Sequence, residues 1–127
     1  NRGFMLTGTG TADSRRHLII QDEIQSSGTL DINWYMHTRA NVEINGRTAT
    51  LSIGDKQAKL KVIEPADATL TVASAEQQPP QRSNKGISRI AVNHKPQSGT
   101  TRIVIQLSPS SVPDDYTHKP KPLSEWK

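Results

Sequence analysis

Apolar residues in this chain recur at every second position rather than at every third and fourth, and that spacing belongs to the extended backbone. The pattern is clearest in the hairpin of Val42 and Ile44 with Ala49, Leu51 and Ile53, and it continues where Ala58, Leu60 and Val62 alternate with Gln57, Lys59 and Lys61 and where Leu30, Ile32, Trp34 and Met36 share one face. No window of helical length carries an apolar stripe. A strand with one dry and one wet face needs a second layer to cover the dry one, so the spacing predicts an all-β, antiparallel two-sheet sandwich. With 127 residues there is room for one domain, and with only 32% hydrophobic residues its core must be thin, built from Ile, Leu, Val and Ala.

Turn chemistry divides the pattern into eight or nine short strands. Val42 and Ile44 lead into Asn45-Gly46, a pair suited to a type I′ hairpin turn, after which Ala49, Leu51 and Ile53 resume. Gly54-Asp55 turns the chain again, giving a three-stranded meander over about 40–63. Before it, strands are expected near Gly3 to Thr7, from Arg16 to Gln25 and from Leu30 to His37, with Ser26-Ser27-Gly28 as a link. Pro65 stops the third strand of the meander, and Thr69 to Ala73 follows, with Leu70 and Val72 on one face. Glu76 to Gly86 reads as a polar loop. The last two strands, near Ile87 to Asn93 and Arg102 to Leu107, are joined through Pro96-Gln97-Ser98-Gly99. Residues 1–109 thus form the single domain. Residues 110–127 are an extended, Pro-rich tail in which Trp126 is expected to dock on a neighbouring surface.

The chain begins at Asn1 without an initiator Met or an apolar leader, which predicts an excised or processed part of a larger protein. No stretch approaches the roughly 18 apolar residues of a membrane helix, so no membrane partner is expected. Without cysteine there are no disulfides, thiolate metal sites or cysteine nucleophiles. Sixteen Lys and Arg against twelve Asp and Glu give a net charge of +4. Both a polyanion partner and a plain solvated surface fit that charge.

Sharp enzyme motifs fail. Gly8-Thr9-Gly10-Thr11-Ala12-Asp13 begins like a dinucleotide fingerprint but lacks the third glycine and reads as a turn. The phosphate-binding loop, the nucleophile elbow and paired His ligands are all missing, so no catalytic residue, metal ligand or cofactor is assigned. His17, His37, His94 and His118 are scattered and read as structural, with His37 alone carrying a functional alternative beside Tyr35. Asp22 and Glu23 are adjacent on a strand and so point to opposite faces, unable to act together as acid and base on one substrate. Asp114-Asp115 reads as solvated tail. The candidate glycan-binding residues are Arg47, Lys56, Lys59 and Lys61 on the meander, joined by Arg82 and Lys85 from the long loop. Stacking aromatics are missing from the meander, so no nucleic-acid partner is expected.

The order of several segments carries a resemblance. These are Arg2-Gly3-Phe4, Ile20-Gln21-Asp22-Glu23-Ile24, Trp34-Tyr35-Met36-His37-Thr38-Arg39-Ala40 and Ala49-Thr50-Leu51. They continue with Pro65 followed by Ala68, Gln78-Pro79-Pro80 with Asn84-Lys85-Gly86, and Leu107-Ser108-Pro109. Together, over about residues 2 to 109, they resemble the C-terminal β region of heparinase II and related heparinase II/III-type polysaccharide lyases. The resemblance implies a bacterial periplasmic or secreted parent with an α/α toroid and β-sandwich layers, cleaving uronic-acid polysaccharides such as heparin or heparan sulfate by β-elimination. The family's catalytic His and Tyr and its zinc ligands belong to other parts of such a parent, and none of those motifs is matched here.

Three readings follow from these residues. The first is a noncatalytic C-terminal β-sandwich domain packing against the remainder of a parent lyase, with a homodimer or a place at the substrate cleft as further expectations. The second is an independent module for an acidic or sulfated glycan, using Arg47, Lys56, Lys59 and Lys61. The third is an assembly sandwich unrelated to lyases.

Overall fold

The structure is a computed structural model that describes residues 1–7, 16–96, 98–110 and 117–126. The Gly8 to Asp13 turn, Gln97, and Asp114, Asp115 and Tyr116 lie outside the described residues. Among the described residues nine strands run in chain order: β1 Arg2–Thr7, β2 His17–Ser26, β3 Ile32–Thr38, β4 Asn41–Asn45, β5 Thr48–Ile53, β6 Lys56–Glu64, β7 Leu70–Ser74, β8 Ser88–His94 and β9 Gly99–Pro109. A 3-10 turn, Leu123–Glu125, follows. Among the described residues no helix is long and apolar enough to cross a membrane.

All strand pairs are antiparallel, and they build an all-β sandwich of unequal layers. One sheet has six strands in the order β1-β2-β9-β6-β5-β4 and the other three in the order β3-β8-β7. Trp34, Ile90, Val92 and Leu70 from the small sheet meet Ala49, Leu51, Leu60, Val62, Ile103 and Ile105 from the large one. Their alternation along each strand is what places them all on the inner faces. Leu70 and Val72 share one face, as expected, opposite Val92 and Ile90 of β8, but β7 is an edge strand and Val72 stays 41% exposed while Leu70 is buried.

The first hairpin turn differs from the sequence expectation. Asn45 pairs with Thr48, so the turn residues are Gly46-Arg47 rather than Asn45-Gly46. Only glycines take positive φ among the described residues, with Gly46 at 61° and Gly54 at 58°. A single positive φ at the first turn position is the type II′ pattern; type I′ would need it at both. Gly54-Asp55, between Ile53 and Lys56, repeats the arrangement. Gly46→Val is therefore expected to cost about 1–2 kcal/mol in urea unfolding through backbone strain alone, since nothing lies within 4 Å of its missing Cβ. An unchanged midpoint would contradict that turn geometry.

The large sheet is also covered on its outer side. Ile19, Ile63 and Val104 form a second buried cluster, against which Met5 and Trp126 pack. Ile63 follows Lys59 and Lys61 onto that face by alternation, and a bulge between Val62 and Glu64 then shifts the register so that Glu64, not Ile63, stands opposite Val104. As a result β9 is dry on both sides, with Ile103 and Ile105 facing the sandwich and Val104 and Gln106 the outer layer.

Candidate functional site

The basic residues of the meander do not form one patch. Arg47 turns inward, and its Nη2 donates to the carbonyls of Val62 and Ile63, each at 2.8 Å. It braces the bulge. Lys59 and Lys61 do share the outer face of β6, opposite Thr50 and Thr48 of β5. Lys61 Nζ donates to Thr117 Oγ1 at 2.8 Å, which ties it to the C-terminal segment. Lys56 lies on the same side of β6 as Ala58 and Leu60, at the exposed hairpin end. Arg82 and Lys85 are exposed in the loop that leads from β7 into β8 of the other sheet.

The C-terminal segment is clasped to the outer face of β1, β2 and β9. Buried Gln21 donates through Nε2 to the Lys121 carbonyl at 2.7 Å, and Glu23 Oε1 accepts from the Leu123 amide at 2.5 Å. Gln106 Oε1 accepts from the His118 amide at 2.9 Å. Gly3 makes the close approach possible, because a Cβ there would stand 2.5 Å from Leu123 Cδ2 and 2.9 Å from Trp126 Cζ3. Trp126 thus packs on the chain's own opening strand. His17 sits under this segment, 2.6 Å from Thr7 Oγ1 through Nε2, with its ring centroid 6.4 Å from that of His118. Desolvation, with a smaller repulsion from His17, pushes the His118 pKa below its ordinary value.

On the inner face the large sheet outruns the small one. Phe4 and Leu6 of β1, paired with Ile20 and Leu18 of β2, point toward the sandwich side but lie beyond its cover, and remain 63% and 64% exposed. Alternation makes this unavoidable, since Gly3, Met5 and Thr7 occupy the other face beneath the clasp. The shelf ends in a bidentate Arg2–Asp22 ion pair, Nε to Oδ1 at 2.6 Å and Nη2 to Oδ2 at 2.8 Å, whose hydrogen bonds raise the Arg2 pKa. Beside that pair a cleft opens toward Ile32 and Trp34 of β3. Asp22 and Glu23 point to opposite faces, Asp22 to this ion pair and Glu23 to the clasp.

The outer face of the small sheet is polar. Tyr35 is 46% exposed, and the guanidinium of Arg89 lies 4.5 Å from its ring centroid. His37 is the register partner of Arg89 on the same face. Among the described residues no group of three or more His, Asp or Glu side chains is placed to hold a metal ion. The shelf and the Tyr35–Arg89 pair escaped sequence reasoning. Both depend on which strand ends up beside or beyond which, and alternation alone does not carry that information. No family model matches the chain, and no curated protein matches it.

Proposed function

We propose that this chain is a noncatalytic β-sandwich module that packs, through the Phe4–Leu6 shelf, against the remainder of a longer polysaccharide lyase of the heparinase II/III type. The observation that carries the packing role is the mismatch of six strands against three, which leaves two large apolar side chains uncovered beside a sheet edge. Burying each would contribute about 1.5–3 kcal/mol. The lyase is suggested by the ordered segments from Arg2-Gly3-Phe4 to Leu107-Ser108-Pro109. In such a parent, the proton at C5 of a uronate leaves as the C4–oxygen bond breaks, giving an unsaturated uronate; that chemistry is assigned to the other parts of the parent.

Phe4→Ser with Leu6→Ser is expected to lower binding of a hydrophobic dye several-fold while leaving the urea midpoint within about 1 kcal/mol of the unchanged chain. A core-like loss of stability would show the shelf to be interior. Sedimentation in which the unchanged chain dimerises and the double variant does not would give the shelf to a second copy instead. Incubation of the chain with heparan sulfate should yield no ultraviolet absorbance from unsaturated uronate, and its appearance would overturn the noncatalytic reading.

A further inference from the structure

We propose that the outer face of the three-stranded sheet binds an acidic saccharide, with Arg89 taking the carboxylate or sulfate and Tyr35 supporting the sugar ring. This surface is distinct from the packing shelf. Arg89 carries the argument. Its guanidinium is held over Tyr35 with Nε buried beneath, and its two terminal nitrogens, which are not buried, have neither a hydrogen-bond partner nor a carboxylate partner among the described residues. A cation fixed on an aromatic ring with donor capacity to spare is arranged for an anion, and a planar guanidinium matches a carboxylate bidentately.

Register supplies the rest. Tyr35 lies opposite Ala91, which lies opposite Thr71, so small side chains leave the ring standing above a low surface. Toward the start of β3 the Asn93 amide donates to Asp31 Oδ1 at 2.6 Å and to Asn33 Oδ1 at 2.9 Å, a cluster of hydroxyl-binding groups. Toward its end, His37 sits beside Arg89, with Arg39 following β3 and Lys85 preceding β8; Glu76, after β7, is the acid at that end. From Asn33 to His37 the strand rises about 13 Å, the reach of a short oligosaccharide. The face is therefore graded, with amides and a carboxylate for sugar hydroxyls at one end and cations for an acidic group at the other.

The test is titration of the whole chain with oligogalacturonate, with a neutral oligosaccharide of equal length, and with polyglutamate, followed by calorimetry and by the NMR signals of Arg89 Nε and His37. Oligogalacturonate should bind, losing affinity with salt, and the neutral sugar should bind at least about tenfold more weakly. Arg89→Gln and Tyr35→Ala should each weaken it at least about tenfold, with Arg89→Lys between, while Lys59→Glu plus Lys61→Glu leaves the Arg89 shifts in place. Amide spectra confirm that each variant is folded. No binding, equal binding of polyglutamate, an indifferent Arg89→Gln, or loss of the Arg89 shifts in the lysine variant would each overturn the proposal.

Discussion

Arg47→Met is expected to destabilise the chain by about 3 kcal/mol, a fall in melting temperature of roughly 10 °C for a domain of this size. The guanidinium makes two charge-assisted hydrogen bonds to carbonyls at the bulge in β6, and methionine fills similar volume but donates nothing. Both carbonyls would then be left in a part-buried site beside Ile63 and Val62, which are 8% and 0% exposed. Lys59→Met and Lys61→Met remove the same formal charge from the outer face and should each change stability by less than about 1 kcal/mol. Urea unfolding of the three variants separates a brace from a basic surface. Equal effects at all three positions would refute the bracing role.

Removing the clasp should be the second large effect. A chain ending before Thr117 loses the packing of Leu123 and Trp126 over Gly3, Met5 and Ile19, and is expected to lose about 3 kcal/mol. It should also lose an acid sensitivity. Because the His118 pKa is depressed in the folded chain, its contribution is complete above the unfolded value near 6.5 and is lost as pH falls through the folded value. Protonation there places a cation beside the His17 ring, in surroundings that hold Lys61, Lys119 and Lys121 against Glu23 and Glu125. Trp126 fluorescence followed from pH 8 to 5 should therefore report release of the segment in the full chain and much less change in His118→Gln. A titration identical in that variant would remove His118 from the device.

Both predictions rest on features that the sequence showed only in part. The alternation around Leu60 and Val62 made the meander legible because both partners of each hairpin are close in sequence. The glycines announced the turns but not their frame, since Asn-Gly satisfies type I′ while Gly46-Arg47 satisfies type II′ one residue later. Trp126 was expected to dock on a neighbouring surface, but nothing local indicates that the surface is Gly3, a position whose missing side chain is informative only once both ends are in place. Arg47 looked like part of a basic patch because composition counts charges without showing where they point. Its inward turn follows from the bulge at Ile63, which no spacing rule announces. The Phe4–Leu6 shelf was hidden for the same reason: alternation shows which side chains share a face, not how far the opposing sheet extends.

The pairing of β2 with β9 has a consequence for the order of assembly. Leu18 meets Leu107 and Ser26 meets Gly99, so this interior ladder of the large sheet joins opposite ends of the described chain. During vectorial synthesis the β4-β5-β6 meander can close within its own short loops, while β2 waits for almost everything else to emerge. Folding limited by such a late, distant pairing belongs to the millisecond-to-second range of all-β domains. Until β9 arrives, the edges of β2 and β6 that it will join stand open together, and that interval is when the nascent chain is most exposed to pairing with a neighbour.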